Sequence, residues 1–135
     1  MATMTLTVTH TGSGNALDCA TPEGPVLTFD SEGKHGASPM QHLLAAAGAC
    51  ALMDVDVILK KKRLAYQDLR VECHGARPDN VTPKPFLGVN LVFRVKGEVP
   101  VKAFEDAVRL SVEKYCSVGA TLEKGIPVTW EAKLD

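Results

Sequence analysis

The hydrophobic and polar positions along the chain change period several times, and each change marks an element. From Met4 to His10 the sequence reads MTLTVTH, with Met4, Leu6 and Val8 alternating with threonines. A period of two with β-branched residues predicts a half-buried strand. Thr11-Gly12-Ser13-Gly14-Asn15 is turn chemistry, and 16–20 is expected to run back as a second strand. Pro22-Glu23-Gly24-Pro25 turns the chain into a third, Val26 to Phe29, and a glycine-containing loop covers 30–37. The N-terminal part therefore reads as a β-meander.

A helical pattern takes over at Ser38. Ser38 suits an N-cap, Pro39 fits the first turn, and Gln41 completes a capping box. From Met40 to Ile58 apolar residues occupy nearly every side: Leu43, Leu44, Ala45, Ala46, Ala47, Cys50, Leu52, Met53, Val55 and Val57 among them. A helix apolar all round belongs inside something, and one small chain can hardly surround it. A dimer enclosing the helix is the natural expectation. Lys60 to Arg63 end it, their charge suiting the negative end of the helix dipole.

Leu69, Val71 and Cys73 then alternate with Arg70, Glu72 and His74, a strand pattern. The loop 78–85 leads to a second strand, 87–95, with Val89, Leu91, Phe93 and Val95 on one face. Pro100 opens a helix with Val101, Phe104, Val108, Val112 and Tyr115 at helical spacing, ending near Cys116. Ser117 is placed to cap a further short helix through Leu122, stopped by Gly125, and 127–132 is expected to be a final strand. The order βββ-α-ββ-α-β indicates an α+β chain with mostly antiparallel sheet, read as a single domain over 1–135.

Composition narrows the function. The chain has 135 residues, 45% hydrophobic and 23% charged, with a formal net charge of -1. That balance is ordinary for a globular protein and gives no electrostatic footprint for nucleic acid. Aromatic residues make up 5%, too few for a base-stacking platform. The N-terminus lacks the charged-then-apolar pattern of a secretory signal. The longest apolar candidate for a membrane span is interrupted by Asp54 and Asp56, so no membrane partner is expected. The expected location is the cytoplasm, where cysteines serve catalysis, metal binding or packing before static disulfides.

Four cysteines then carry the candidate chemistry. Cys19 and Cys73 share strand faces with apolar neighbours and read as small buried hydrophobes. Cys73-His74 has no second ligand cluster, so no metal or other cofactor is expected. Cys50 follows Ala45-Ala46-Ala47-Gly48-Ala49, a run stripped of bulk. That leaves room for a backbone, a partner helix or a substrate, and function and close packing stand level on spacing alone. Asp54, at i+4, would raise the thiol pKa if it faced the same way. Cys116 lies just before an expected helix N-terminus, where free N–H groups favour thiolate. It could equally fill the corner under Tyr115.

Two stretches together tip that balance. Ser38-Pro39-Met40-Gln41-His42-Leu43-Leu44-Ala45-Ala46-Ala47-Gly48-Ala49-Cys50 resembles the central-helix motif of the OsmC/Ohr family. Glu113-Lys114-Tyr115-Cys116-Ser117-Val118-Gly119 through Lys124 resembles its second-cysteine motif, and the start of the helix and the EKYCSV segment are most similar to the YhfA-like branch. The resemblance implies an OsmC-like fold in an intertwined homodimer, with the sheets wrapped around two central helices. It also implies a peroxide substrate. Cys50 would attack the O–O bond and become a sulfenic acid, and Cys116 would resolve it as a disulfide reduced by an external thiol or lipoyl-type reductant. Two departures stand out. The family's peroxidases carry an N-terminal arginine beside the thiolate, whereas the first arginine here is Arg63, and Met40 replaces their helix-start glutamate. Lys34 or His35 could supply a substitute charge, while His42 reads as an interfacial or exposed residue rather than a base. The competing reading is a non-catalytic dimer that binds a small or acyl ligand in an interfacial pocket.

Overall fold

The computed structural model describes all residues, 1–135, and their contacts divide into two compact units, Met1–Leu44 and Ala45–Asp135. In the first unit, strands β1 (Thr7–His10), β2 (Ala16–Ala20) and β3 (Val26–Asp30) form an antiparallel sheet in that order. Cys19 sits opposite Val8 on one side and Leu27 on the other, and is almost wholly buried, as expected of a small hydrophobe. The strand expected from Met4 begins only at Thr7, and it is exposed along its length. Nothing packs on its outer side, so Met4, Leu6 and Val8 remain open and the alternation has no surface to bury against. At the end of β3 the buried Asp30 carboxylate gathers the following loop, accepting from the backbone N–H of Glu32 at 2.8 Å and of His35 at 3.0 Å. These bonds hold its pKa below the usual carboxylate value, the Glu32 N–H contributing most.

Helix α1 (Pro39–Lys61) starts as its capping box dictates. Ser38 Oγ accepts from the Gln41 N–H at 3.2 Å, and Gln41 Oε1 accepts from the Ser38 N–H at 2.9 Å. Its buried residues, Ala47, Gly48, Ala51, Val55 and Leu59, follow one stripe. Leu43, Met53 and Val57 lie exposed elsewhere around it, so a single chain covers only part of a helix that is apolar on every side. Length and composition alone would let α1 cross a bilayer, with a mean hydropathy of 1.7 over its most apolar window, despite Asp54 and Asp56.

In the second unit, strands β4 (Asp68–Ala76) and β5 (Gly88–Lys96) pair antiparallel along their full length. Leu69, Val71 and Cys73 face Val95, Phe93 and Leu91, which places the apolar positions of both strands on one side, as their alternation predicts. The core is built by Val55 and Leu59 of α1 and Ala107 of α2 (Val101–Leu110), ringed by Leu69, Phe93, Phe104 and Val108 among others. The expected second helix does not run unbroken to Cys116. Its α-helical part stops at Leu110, and a π turn, Ser111–Tyr115, carries the chain to Cys116 and helix α3 (Ser117–Lys124). Gly125 ends α3 with φ at +62°, a conformation glycine takes without strain.

The final strand expected over 127–132 is not formed: no regular element follows α3. A strand needs a neighbouring edge to satisfy its backbone, and this segment pairs with none. Ile126, Val128, Trp130 and Leu134 are all exposed. The observed order is therefore βββ-α-ββ-α-α with a π turn before α3, still an α+β fold with antiparallel sheets.

Candidate functional site: a two-thiol centre

All four cysteines are free thiols. Two of them, Cys50 on α1 and Cys116 at the start of α3, are brought near enough for Cys50 to act on the Cys116 thiol. What places Cys50 is the inner stripe of α1. What places Cys116 is the π turn, whose extra residue per turn delivers the chain into an extended conformation at Cys116, with φ -73° and ψ 103°. The turn is anchored by Ser111, fully buried, whose hydroxyl donates to the Ala51 carbonyl at 2.7 Å. That bond fastens the approach to Cys116 to the helix residue next to Cys50. Sequence reasoning passed over Ser111, although a serine four residues after Ala107 and three after Val108, on the helix's apolar stripe, is a visible signal.

Cys116 itself caps α3. Its Sγ accepts from the Gly119 N–H at 3.3 Å, so Cys116 takes the capping position expected of Ser117, which becomes the first helical residue. The N–H groups of the helix N-terminus do favour thiolate, as expected, but burial outweighs them. Burial pushes the Cys116 thiol up; the Gly119 N–H lowers it, but the neighbouring Cys50 and the Asp54 carboxylate add to the rise. No cation is among the groups that act on it. Asp54, four residues beyond Cys50, has an Oδ2 atom that is buried with no hydrogen-bond partner.

The two candidate substitute charges are occupied elsewhere. Lys34 Nζ lies 3.3 Å from Glu32, and His35 Nε2 lies 2.6 Å from Asp18, both within the Met1–Leu44 unit. His42 is half-buried, its ring bound to the Thr28 carbonyl at 2.8 Å and tilted against Phe29 with centroids 4.1 Å apart. It is therefore a structural residue of its unit.

The small residues before Cys50 have a definite use. A Cβ at Gly48 would collide with Cys73 Sγ and come within 3.2 Å of Val71 Cγ1, so glycine is what lets β4 approach α1 here. On the same helix, an open groove of about 270 Å³ is lined by Ala49, Leu52, Met53, Asp56, Tyr66 and Leu69. Its polar end is a bonded set: the Tyr66 hydroxyl donates to Asp56 at 2.5 Å and Lys60 donates to it at 2.9 Å. Neither Cys50 nor Cys116 lines that groove.

The fold is that of an α+β protein with two free cysteines, Cys50 on the central helix and Cys116 at a helix start, on neighbouring elements. The chain belongs to the OsmC-like protein family, whose profile matches residues 31–131. It is 39% identical over 105 residues to Protein YhfA of Escherichia coli strain K12, covering 77% of this chain and 78% of that one. Among solved structures it resembles a hypothetical protein from Aquifex aeolicus VF5, with a TM-score of 0.80 and 32% identity over 98% of this chain and 100% of that one. The organic hydroperoxide resistance protein OhrB of Bacillus subtilis shares the fold, with a TM-score of 0.59 at 24% identity over 87% and 90% of the two chains. These relationships place the chain in the OsmC/Ohr group, on the YhfA-like side.

Proposed function

We propose that this protein is a thiol-dependent reductant of hydroperoxides, with Cys50 as the attacking cysteine and Cys116 as the resolving one. Its family includes proteins of organic hydroperoxide resistance, which supports a redox role of that general kind. The observation that carries the finer reading is the meeting of the Cys50 and Cys116 thiols, both free, at a partly enclosed site. Attack of the Cys50 sulfur on the terminal peroxide oxygen breaks the O–O bond and yields a sulfenic acid and an alcohol. The Cys116 sulfur then displaces hydroxide from Cys50, giving a disulfide and water. A dithiol reductant, external thiol or lipoyl in type, returns the pair to the starting state. The Cys116 thiol, held up chiefly by burial, is a modest nucleophile, so the resolving step is expected to be slow near neutral pH.

The working unit in this reading is a homodimer in the cytoplasm. A single chain leaves Leu43, Met53 and Val57 of α1 and the whole apolar C-terminal segment open to water, which a second copy would cover. The groove beside Tyr66 keeps a second reading in view, a dimer that binds a small or acyl ligand. One experiment separates them. Reduced protein is mixed with tert-butyl hydroperoxide and its mass analysed for a Cys50–Cys116 disulfide. Cys50→Ser is expected to abolish peroxide consumption, and Cys116→Ser to trap sulfenic or over-oxidised Cys50. Equal background consumption by wild type and both variants overturns the peroxidase reading.

A further inference from the structure

Helix α3 has little to hold it besides one sulfur. It is eight residues long, and none of them is buried. Isolated helices shorter than about 12–15 residues are marginal in water, and Gly119 in the first turn weakens this one further. Its start is held by Cys116 Sγ, which accepts from the Gly119 N–H at 3.3 Å. The chain on the other side of Cys116 is fastened. The Ser111 hydroxyl donates to the Ala51 carbonyl of α1 at 2.7 Å, and the Cys116 N–H donates to the Ser111 carbonyl at 2.8 Å. Cys116 is only 5% exposed. A second sulfur bonded to it must therefore enter an enclosed space, with a firm wall toward α1 and a loose one at α3. The new bond also fixes where the sulfur lies, at about 2.05 Å from its partner and with a dihedral near 90°. Its position is then set by that partner and no longer by the Gly119 N–H. A cap made by a weak sulfur acceptor is easily lost in this way.

We propose that α3 is a redox latch, held shut by the free Cys116 thiol and released when that sulfur is drawn into a disulfide. Its place in turnover rests on the thiol–hydroperoxide reading above; the latch itself needs only the change at the sulfur. In that reading a hydroperoxide oxidises Cys50 to the sulfenic acid. The Cys116 sulfur then forms the S–S bond, the S–O bond of Cys50 breaks, and hydroxide leaves as water with the Cys116 proton. The same bond takes the cap from α3, whose first turn opens. Opening serves the next step. A disulfide is reduced by a thiolate that must reach one of its sulfurs, and Cys116 is too enclosed for that while α3 is folded. With α3 released, the sulfur is open to a dithiol reductant. The reductant becomes a disulfide itself, and its two hydrogens restore the thiols of Cys50 and Cys116. The returned Cys116 thiol caps the helix again and closes the site.

The test reads hydrogen exchange over 116–125 by peptide mass in the full-length protein, with β4 and β5 as the internal reference. The segment is expected to be protected in reduced wild type. In Cys116→Ala, which has no cap, it is expected to exchange about five- to thirtyfold faster. Cys116→Ser keeps a capping oxygen and is expected to match wild type. Methyl methanethiosulfonate supplies a disulfide without peroxide. The Cys116 sulfur bonds to the reagent's methylthio sulfur, and methanesulfinate leaves with the thiol proton. In Cys50→Ser so treated, peptides carrying the methylthio group on Cys116 are expected to exchange as fast as those of Cys116→Ala, with β4 and β5 unchanged. The latch is overturned if Cys116→Ala stays as protected as wild type, or if a methylthiolated Cys116 leaves the segment protected. It is equally overturned if β4 and β5 open together with α3, the mark of general unfolding. A protein whose α3 opens with this reagent, but whose wild type forms no Cys50–Cys116 disulfide with tert-butyl hydroperoxide, removes the hydroperoxide reading and leaves the latch standing.

Discussion

Gly48 and Cys73 compete for the same space, and only the absence of a side chain at position 48 allows both. Glycine in a helix interior costs about 1 kcal/mol relative to alanine, so its presence in α1 needs a packing reason, and the Cys73 thiol supplies one. Gly48→Ala is expected to lose about 1–3 kcal/mol of stability, because the overpacked thiol and Val71 must move, despite the gain in helix propensity. Cys73→Ala in the same chain removes the colliding sulfur and is expected to recover part of that loss, a coupling that urea denaturation of the double-mutant cycle measures. A second residue-scale consequence concerns Cys116. Its native pKa is raised, chiefly by burial, so the folded chain holds the thiol proton more tightly than the unfolded chain does. The resulting stabilisation is complete below the unfolded thiol pKa and is lost as pH rises through the higher folded value. The urea midpoint of the reduced protein is therefore expected to fall as pH rises above the ordinary thiol pKa of about 8.5, and to fall less in Cys116→Ser.

Among the elements, the passage from α2 through the π turn to α3 does the most for the site. A regular helix would have carried residues 111–115 on in register; the π turn instead sets Cys116 in an extended conformation, where its Sγ both meets Cys50 and caps α3. Serine is a good N-cap and alanine a poor one. Cys116→Ser is thus expected to keep α3 and stay within about 0.5 kcal/mol of wild type, whereas Cys116→Ala loses about 1 kcal/mol, as denaturation would report. Ser111→Ala removes the one side-chain bond that ties the π turn to α1 beside Cys50. The expected cost is about 1 kcal/mol or more, with slower Cys50–Cys116 disulfide formation under a mild oxidant as the second readout. The capping box at Ser38 and Gln41 and the stop at Gly125 were legible in sequence because each is a local rule satisfied within a few residues. The π turn was not, since the helical spacing of Val108, Val112 and Tyr115 reads alike with or without an inserted residue.

At the scale of the whole molecule, apolar surface is left over. The segment after α3 exposes Ile126, Val128, Leu134 and the chain's one tryptophan, Trp130. A second copy covering this surface is expected to place the indole in an apolar setting. Tryptophan emission should then be blue-shifted at concentrations where light scattering gives a dimer, and should move to the red on dilution to monomer. Emission of a fully exposed indole in a confirmed dimer would exclude Trp130 from that interface.

Local periodicity by itself determined most elements of this protein: the paired alternation of β4 and β5, the span and start of α1, the meander at the N-terminus, and the burial of Cys19. Tertiary structure alone decided the rest, because each outcome depends on groups far apart in the chain. It set Cys116 rather than Ser117 as the cap and let burial outweigh the helix N-terminus at that thiol. It spent the bulk missing at Gly48 on β4, and it left Asp54 Oδ2 buried without a hydrogen-bond partner. It also left 127–132 without the edge a strand requires. Sequence fixes what a segment can form when its partners lie within a turn or a hairpin; desolvation, close approach and strand pairing wait on what the fold brings alongside.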